Sequence, residues 1–186
     1  MMRDLFEEFP YLENDKVIIR KMKSSDVAAL SMISNNDNVY KYIPAFLYKK
    51  SNKTLETAIK NLGGRDFEKR KLIVAGIYLQ DEPDRLVGLA EMFDYKKREN
   101  KVTIGYRIHE EYWNQRIASN ALQLMVQYLV NEIGIQTLNA FVMPENIYSS
   151  SILLHNGFVK EDFTMQEKNW GGRDIVSLDV YTYKKQ

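Results

Sequence analysis

The chain has 186 residues, 45% of them apolar and 12% aromatic, with 26 Lys and Arg residues against 25 Asp and Glu residues. This length and apolar content predict a single domain over residues 1–186 with a packed core, and they exclude a disordered chain. The near-neutral charge argues against nucleic-acid binding, and the absence of cysteine excludes disulfides and thiolate chemistry.

The chain is predicted to begin with a strand followed by two helices. Residues 16–20 are β-prone, and Ser24 or Ser25 can cap a helix that ends before the turn-forming residues 35–38. Apolar residues at helical spacing predict a second helix over residues 52–62. We expect these two helices to form a lid.

The middle of the chain is predicted to form an antiparallel meander, a long helix and a further strand. The meander comprises residues 72–79, 86–95 and 102–108. Helical spacing from Ala118 to Ile133 follows, with Gly134 as the C-cap, and residues 137–142 form the next strand. Strand, helix and strand predict a right-handed parallel crossover that packs the helix on one sheet face.

The last part of the chain is predicted to form a short helix and a closing hairpin. The helix covers about residues 149–156, with Ser149 as a candidate cap, and residues 158–165 and 175–183 pair around residues 170–173. The fold class is therefore α+β, with a mixed, mostly antiparallel central sheet and helices on both faces.

The loop between residues 102–108 and the long helix carries the clearest chemical signal. A loop that turns into a helix N-terminus presents unpaired N–H groups and the positive end of the dipole, which favours a phosphate. Paired histidine ligands are missing, so we expect no metal. Glycine-rich phosphate loops and the G-x-S-x-G elbow are also missing.

The longest apolar run, residues 72–79, is too short to cross a membrane, and residues 1–15 are acidic. We therefore expect a cytoplasmic protein without membrane contact.

Three sequence runs resemble the GNAT superfamily of N-acetyltransferases, in its RimJ/RimL-like branch. They are IGYRIHEEYWNQRIASNAL (residues 104–122), LNAFVMPENIYSSSILLHNGF (residues 138–158) and WGGRDIVSLDVYTY (residues 170–183). VIIRKMKSSDVAAL (residues 17–30) resembles the first strand and helix of the family. The resemblance spans about residues 16–183 and implies that acetyl-CoA binds where two parallel central strands splay apart.

The resemblance also implies which residues hold acetyl-CoA. The pantetheine would pair with one strand, the pyrophosphate would bind the loop N–H groups, and two residues would form the distal wall. These are Tyr106, Arg107 and Ile108 for the pantetheine, Asn114, Gln115, Arg116, Ile117, Ala118 and Ser119 for the pyrophosphate, and Asn146 and Ser149 for the wall.

The sequence departs from the family pattern at two places. The family loop usually reads like W-G-K-G-x-A, but Asn114 and Arg116 stand where those glycines, with their freedom to adopt positive φ, are expected. The Arg116 side chain can block the phosphates, add a charge-assisted contact to them, or lie exposed beside an ordinary site. Leu153 stands where many relatives carry a tyrosine that protonates the leaving thiolate, and leucine donates no proton.

Glu91 and His109 are the candidates for proton transfer. A carboxylate within the apolar run 88–95 is conspicuous, and Glu91 matches an acidic residue of polyamine-acetylating relatives. Glu91 can take the proton of the amine directly or through water, attract a cationic substrate, or simply face solvent. His109 can relay protons at the strand end or lie exposed in the loop. Three aromatic residues line the acceptor pocket or belong to the core: Tyr40, Tyr42 and Phe46.

The resemblance implies an enzyme that moves an acetyl group from acetyl-CoA to a primary amine, either a protein N-terminus or a small amine. Because no cysteine can form an acetyl-enzyme, we expect direct transfer in a ternary complex. The alternative is a non-catalytic acyl-CoA-binding or interaction module that retains the fold. Pairing of edge strands would allow a homodimer.

Overall fold

The chain folds around one eight-stranded sheet in the computed structural model, which describes residues 3–185. The strands are β1 (Leu12–Glu13), β2 (Val17–Arg20), β3 (Leu72–Leu79), β4 (Leu86–Lys96), β5 (Lys101–Ile108), β6 (Thr137–Val142), β7 (Val159–Trp170) and β8 (Arg173–Lys184). They lie in the order β1-β2-β3-β4-β5-β6-β8-β7, and every neighbouring pair is antiparallel except β5 and β6. The predicted meander and the predicted parallel crossover are both confirmed.

Helices cover both faces of the sheet, as predicted. They are α1 (Val27–Ser34), α2 (Asn52–Leu62), α3 (Arg65–Glu68), α4 (Ile117–Gln127) and α5 (Ile147–His155). Helix α4 continues as a π-helical turn over Tyr128–Ile133, and Gly134 ends it with a φ of 82°. Helix α4 packs with one large core cluster and helices α1 and α2 pack with another, on opposite faces of the sheet.

Local sequence signals explain several element boundaries. The Ser51 side chain accepts a hydrogen bond from the Thr54 N–H and caps α2, which ends at Gly63. The predicted bounds of α2, β3 and β6 agree with the structure.

The prediction that α1 and α2 form a lid is wrong. Both helices bury their apolar faces against the sheet, so they are a structural layer. The buried residues are Leu30, Ile33, Leu55, Ile59 and Leu62, which pack with Ile18, Val74, Tyr78 and Leu89. The chain segment after α1, including residues 38–43, borders the cavity described below.

The predictions for the last helix and the hairpin need correction. Helix α5 begins two residues before Ser149, because the Asn146 side chain accepts the Ser149 N–H and is the cap. Strands β7 and β8 extend to a two-residue turn at Gly171 and Gly172, whose φ angles are 55° and 71°. Positive φ at both central residues suits a tight hairpin, and the mostly exposed β7 lacks the apolar pattern that would have revealed its length.

The sheet opens between β5 and β6. These strands pair at three positions, from Lys101 with Thr137 to Thr103 with Asn139. Strand β6 pairs with β8 along its whole length, whereas residues 104–108 of β5 have no partner strand on the β6 side within residues 3–185. The predicted splayed parallel pair is therefore confirmed, and it places a gap in the middle of the sheet.

Strands β1 and β7 form the two sheet edges, and a homodimer through either edge stays a prediction. Within residues 3–185, no helix is both long enough and apolar enough to cross a membrane.

Candidate active site

A cavity of about 750 Å³ lies at the gap between β5 and β6. We call it the larger cavity. Its walls come from the end of β5, the loop before α4, the first turns of α4 and α5, and residues from 38 to 43. Because these parts are distant in sequence, the cavity depends on the splay of the two strands.

The N-terminus of α4 provides an anion site on this cavity. Asn120 is the residue whose N–H closes the first turn, on the Arg116 carbonyl, so the N–H groups of Ile117, Ala118 and Ser119 precede the helical hydrogen bonds. These three residues all line the larger cavity. Free N–H groups and the positive dipole end together favour a phosphate there.

The loop before α4 keeps a glycine-like backbone without glycine. Asn114 and Arg116 have left-handed φ angles of 59° and 61°, and both residues line the larger cavity. The replacement of the two expected glycines by Asn114 and Arg116 therefore changes the side chains but preserves the positive φ angles. Gln115 lies outside the cavity lining, because its Nε2 donates to the Glu111 carbonyl at 3.0 Å.

Strand β5 offers alternate backbone groups to the gap. The His109 N–H donates to the Val87 carbonyl of β4 at 2.8 Å, so by alternation the backbone groups of Arg107 also point to β4. The N–H and C=O groups of Tyr106 and Ile108 then face the gap. The Trp113 Nε1 donates to the Ile108 carbonyl at 2.8 Å and anchors the loop on the strand.

The Arg107 side chain is committed to an ion pair with Glu91. Arg107 Nε lies 2.6 Å from Glu91 Oε1, and the two side chains are 3% and 12% exposed. The Arg107 guanidinium also donates to the Phe46 carbonyl at 2.9 Å. Burial lowers the pKa of Arg107, but Glu91 and Tyr40 more than offset this and raise it above its usual value. The predicted backbone contact of Arg107 with the pantetheine needs correction because the N–H and C=O groups of Arg107 point to β4. The ion pair shows that Glu91 does not simply face solvent.

A smaller cavity of about 70 Å³ lies beside the larger one. Its lining is mostly apolar, with Glu91 and Arg107 as its charged residues; it includes Tyr42, Pro44, Phe93, Phe141, Leu153 and Trp170. Glu91 Oε2 lies beside Gly105, where a Cβ would come within 3.3 Å of it. The bare backbone at Gly105 therefore leaves room for the second carboxylate oxygen.

The tip of the β7–β8 hairpin fixes one wall of the smaller cavity. The Ala45 N–H donates to the Asn169 carbonyl at 3.2 Å, and the Gly171 N–H donates to the Ile43 carbonyl at 3.1 Å. Pro44 and Trp170 form a β-bridge between these two hydrogen bonds. Among the predicted acceptor-pocket aromatics, Tyr42 lines both cavities, whereas Tyr40 is buried and donates to the Phe46 carbonyl.

The two cavities meet at a set of shared residues: Tyr42, Ile43, Tyr106, Arg107, Asn146 and Ser149. Among these residues, Tyr106 has an enclosed hydroxyl oxygen with no hydrogen-bond partner among residues 3–185. Burial raises the pKa of Tyr106 to about 12, and Ser149 opposes part of that shift. The hydroxyl is therefore protonated at neutral pH.

His109 lies outside the linings of both cavities. It is buried rather than exposed, and its Nδ1 accepts the Glu111 N–H at 3.3 Å. This contact caps the short 3-10 turn Glu110–Tyr112 and explains the position of His109. A role for His109 in proton transfer therefore stays a prediction. Among residues 3–185, no group of three or more His, Cys, Asp or Glu side chains is arranged to hold a metal ion.

Sequence reasoning missed the side chains of two residues. Tyr106 was expected to act through its backbone, and its enclosed hydroxyl is a further polar group of a residue that lines both cavities. Arg107 was also expected to act through its backbone, although an arginine inside an apolar strand near Glu91 signals a buried pair. The missing information was the β4–β5 register, which aligns Glu91 with Gly105 and places Arg107 on the same face.

The fold and the cavities define a protein with an open sheet edge, a helix N-terminus suited to an anion beside it, and a second small cavity. The sequence profile of the Acetyltransferase (GNAT) domain matches residues 16–159. The chain therefore belongs to the GNAT family, and these similarities indicate an acetyl-CoA-dependent N-acetyltransferase. It is 29% identical over 180 residues to the uncharacterised N-acetyltransferase YoaA of Bacillus subtilis (strain 168), covering 95% of this chain and 98% of YoaA.

Solved structures share the fold at low sequence identity. RimL, the ribosomal L7/L12 alpha-N-protein acetyltransferase in complex with coenzyme A, has a TM-score of 0.80 at 16% identity, covering 94% of this chain and 98% of RimL. The microcin C7 self-immunity acetyltransferase MccE, in complex with acetyl-CoA and AMP, has a TM-score of 0.78 at 16% identity, covering 92% and 94%. Mycobacterium smegmatis RimJ, in complex with CoA-disulfide, has a TM-score of 0.80 at 18% identity, covering 99% and 90%. The neighbours therefore include the RimJ/RimL-like branch.

Proposed function

We propose that this protein transfers the acetyl group of acetyl-CoA directly to a primary amine while both substrates are bound. The observation that carries the proposal is the junction of the two cavities at Tyr106 and Ser149. A donor in the larger cavity and an acceptor in the smaller one would meet there, without an acetylated enzyme side chain.

The larger cavity suits acetyl-CoA. Its size and its run from the β5 edge to the α4 N-terminus match a flexible arm ending in a pyrophosphate. The backbone groups of Tyr106 and the N–H group of Ile108 would pair with the pantetheine, and the N–H groups of Ile117, Ala118 and Ser119 would hold the phosphates. Asn146 and Ser149 would form the opposite wall.

The smaller cavity suits one uncharged amine at the end of an acceptor. Its volume of about 70 Å³ admits only a few heavy atoms. Arg107 neutralises Glu91, so the cavity carries no net negative charge to attract a polycation. We therefore propose a protein N-terminus or a small monoamine as the acceptor, in preference to a polyamine.

Glu91 would receive the proton that the amine loses. Oε1 is held by Arg107, while Oε2 beside Gly105 is the oxygen available to the amine or to a water next to it. The carboxylate is thereby oriented, as a general base needs to be.

A calorimetric titration with acetyl-CoA and a thiol-release assay test this function. We expect acetyl-CoA to bind, and CoA thiol to appear with N-terminal peptides or monoamines more than with polyamines. Initial rates should give the intersecting lines of a sequential mechanism. Parallel lines would contradict direct transfer, and no binding at high micromolar acetyl-CoA would contradict the function itself.

The second candidate function is a non-catalytic acyl-CoA-binding module. The observations that favour it are Leu153 in place of a tyrosine and the pairing of Glu91 with Arg107. Tight acetyl-CoA binding without thiol release over the same amine panel would support this candidate and exclude the enzyme.

A further inference from the structure

The Tyr106 hydroxyl is a buried polar group that the rest of the described chain leaves unsatisfied. Its oxygen is enclosed and has no hydrogen-bond partner among residues 3–185. Leaving a buried hydroxyl unpaired is unfavourable, so such a group is retained where something else binds it. Tyr106 borders both cavities, so its environment includes the place where donor and acceptor would meet.

The neighbours of Tyr106 show which part of the substrate it would meet. Ser149 lies on α5 and, like Tyr106, lines both cavities. Leu153 lies one helical turn further on, and residues four apart share a helix face. Tyr106 and Leu153 belong to the same core cluster and both line the smaller cavity. Tyr106 on β5 and Leu153 on α5 therefore border the same small cavity.

We propose that Tyr106 is a catalytic residue that donates a hydrogen bond to the CoA sulfur as the thioester bond breaks, replacing from β5 the hydroxyl that Leu153 lacks. This inference rests on the proposed function. During transfer, the C–N bond forms, the C–S bond breaks and its electron pair goes to sulfur. The nitrogen loses one proton and the sulfur ends with one, so the step needs no further reactant.

The Tyr106 hydroxyl acts as a hydrogen-bond donor and keeps its own proton. Its raised pKa of about 12 leaves it protonated throughout the neutral range. A donor that is already in place stabilises charge on the leaving sulfur more strongly in an enclosed site than in water. The stabilisation grows as the sulfur becomes negative, so it affects turnover more than ground-state binding.

The first test compares Tyr106→Phe with the wild type in the thiol-release assay. We expect kcat to fall about 100-fold, with the KM for acetyl-CoA within about twofold. Tyr128→Phe is the matched control, since Tyr128 is also a buried tyrosine of the same core but lines neither cavity. Its kcat should equal that of the wild type.

The second test asks whether the hydroxyl acts on the leaving group. With an acetyl aryl thioester, whose thiolate is more stable, the defect of Tyr106→Phe should shrink to less than about tenfold. Adding Leu153→Tyr to Tyr106→Phe should restore at least part of the lost kcat. A purely structural role for Tyr106 predicts the same defect with both donors.

The outcomes separate the inference from the function. Equal kcat for the wild type and Tyr106→Phe, or a defect that is independent of the leaving group, overturns the inference while the acetyltransferase activity stands. A wild-type protein that binds acetyl-CoA but releases no thiol with any amine overturns the proposed function and the inference together.

Discussion

Arg116 shows how one residue can keep a backbone shape that usually belongs to glycine. Its φ of 61° lies in the left-handed region, which costs a residue with a side chain about 1–2 kcal/mol, and less for asparagine. We expect Arg116→Gly to raise the free energy of unfolding by up to about 1 kcal/mol in a denaturant titration. Asn114→Gly is the matched control, with a smaller gain, and a destabilised Arg116→Gly would contradict this account.

The Arg116 side chain is a separate question from its backbone. It borders the larger cavity near the phosphate site, so we expect the guanidinium to contact the phosphates of acetyl-CoA. Arg116→Gly should then weaken acetyl-CoA binding about tenfold in calorimetry, while Asn114→Gly should not. Unchanged affinity would mean that the Arg116 guanidinium is exposed and makes no contact with acetyl-CoA. Tighter binding would mean that the side chain obstructs the site.

Through its pair with Arg107, Glu91 is expected to contribute to the stability of the fold as well as to the proposed proton transfer. Removing one partner of a buried pair leaves the other charge uncompensated, at a cost of about 3–5 kcal/mol. We expect Glu91→Gln to lose stability on this scale in denaturant unfolding, and to lose kcat per folded molecule. Glu145→Gln, which breaks the exposed pair of Glu145 with Arg173, is the control and should lose far less. A Glu91→Gln protein as stable as that control would show that the buried pair contributes little.

The hairpin β7–β8 carries the main prediction about elements. Gly171 and Gly172 both have positive φ, but a Cβ at Gly171 would collide with the Lys41 carbonyl oxygen, whereas a Cβ at Gly172 meets nothing within 4 Å. The two alanine variants therefore share a backbone penalty of about 1 kcal/mol and differ in the contact with residues 41–45.

We expect Gly171→Ala to displace the hairpin tip from the wall of the smaller cavity. The KM for the amine should rise in steady-state assays while the KM for acetyl-CoA stays constant, because the larger cavity is held mainly by β5, α4 and α5. Gly172→Ala should leave both constants unchanged. Equal effects of the two variants would mean that the tip does not shape the acceptor site.

Elements with clear periodicity could be predicted from the sequence, and the others could not. Helix α2 and strands β3 and β6 have apolar spacing bounded by turn residues, and their predicted bounds agree with the structure. Strand β7 is exposed along most of its length, so its sequence carries no alternation. The start of α5 was missed because Asn146 and Ser149 are both good caps, and only the structure shows which one accepts the hydrogen bond.

At the scale of the whole molecule, the site was partly predictable, because some of its features are built from consecutive residues and others from residues far apart in sequence. The anion site at the start of α4 is a property of consecutive residues, and it could be read from them. The Glu91–Arg107 pair and the junction of the cavities depend on strand register and on how β7–β8 folds back, which a single sequence does not specify.

The start of the described chain is tied to the body of the molecule by charge as well as by apolar contacts. Leu5 and Phe6 are buried in the core that includes α4, and Asp4 binds Arg70 and Lys97. The hydrogen bond from Arg70, followed by that from the Phe6 N–H, lowers the pKa of Asp4 from 3.8 to about 2.

A carboxyl group whose pKa is lowered by folding stabilises the folded state at pH values above its ordinary pKa. This stabilisation is lost as the pH falls through the pKa of the folded state. We therefore expect Asp4 to contribute stability at pH 7 that disappears between about pH 4 and pH 2. Asp4→Asn should cost less than about 1 kcal/mol at neutral pH, since the pairs are partly exposed, and the variant should approach the wild type at pH 2. Urea titrations at several pH values measure this, and a pH-independent difference would contradict it.

Within residues 3–185, strands β5 and β6 pair at three positions, and this short ladder joins the two parts of the sheet. Such a narrow seam suggests that strands β2–β5 and strands β6–β8 open as two cooperative units in native-state hydrogen exchange. Acetyl-CoA bound along residues 104–108 would bridge the gap where further ladder hydrogen bonds are missing. We expect it to slow amide exchange on both sides of the gap together, so that the ligand completes the sheet as well as supplying the acetyl group.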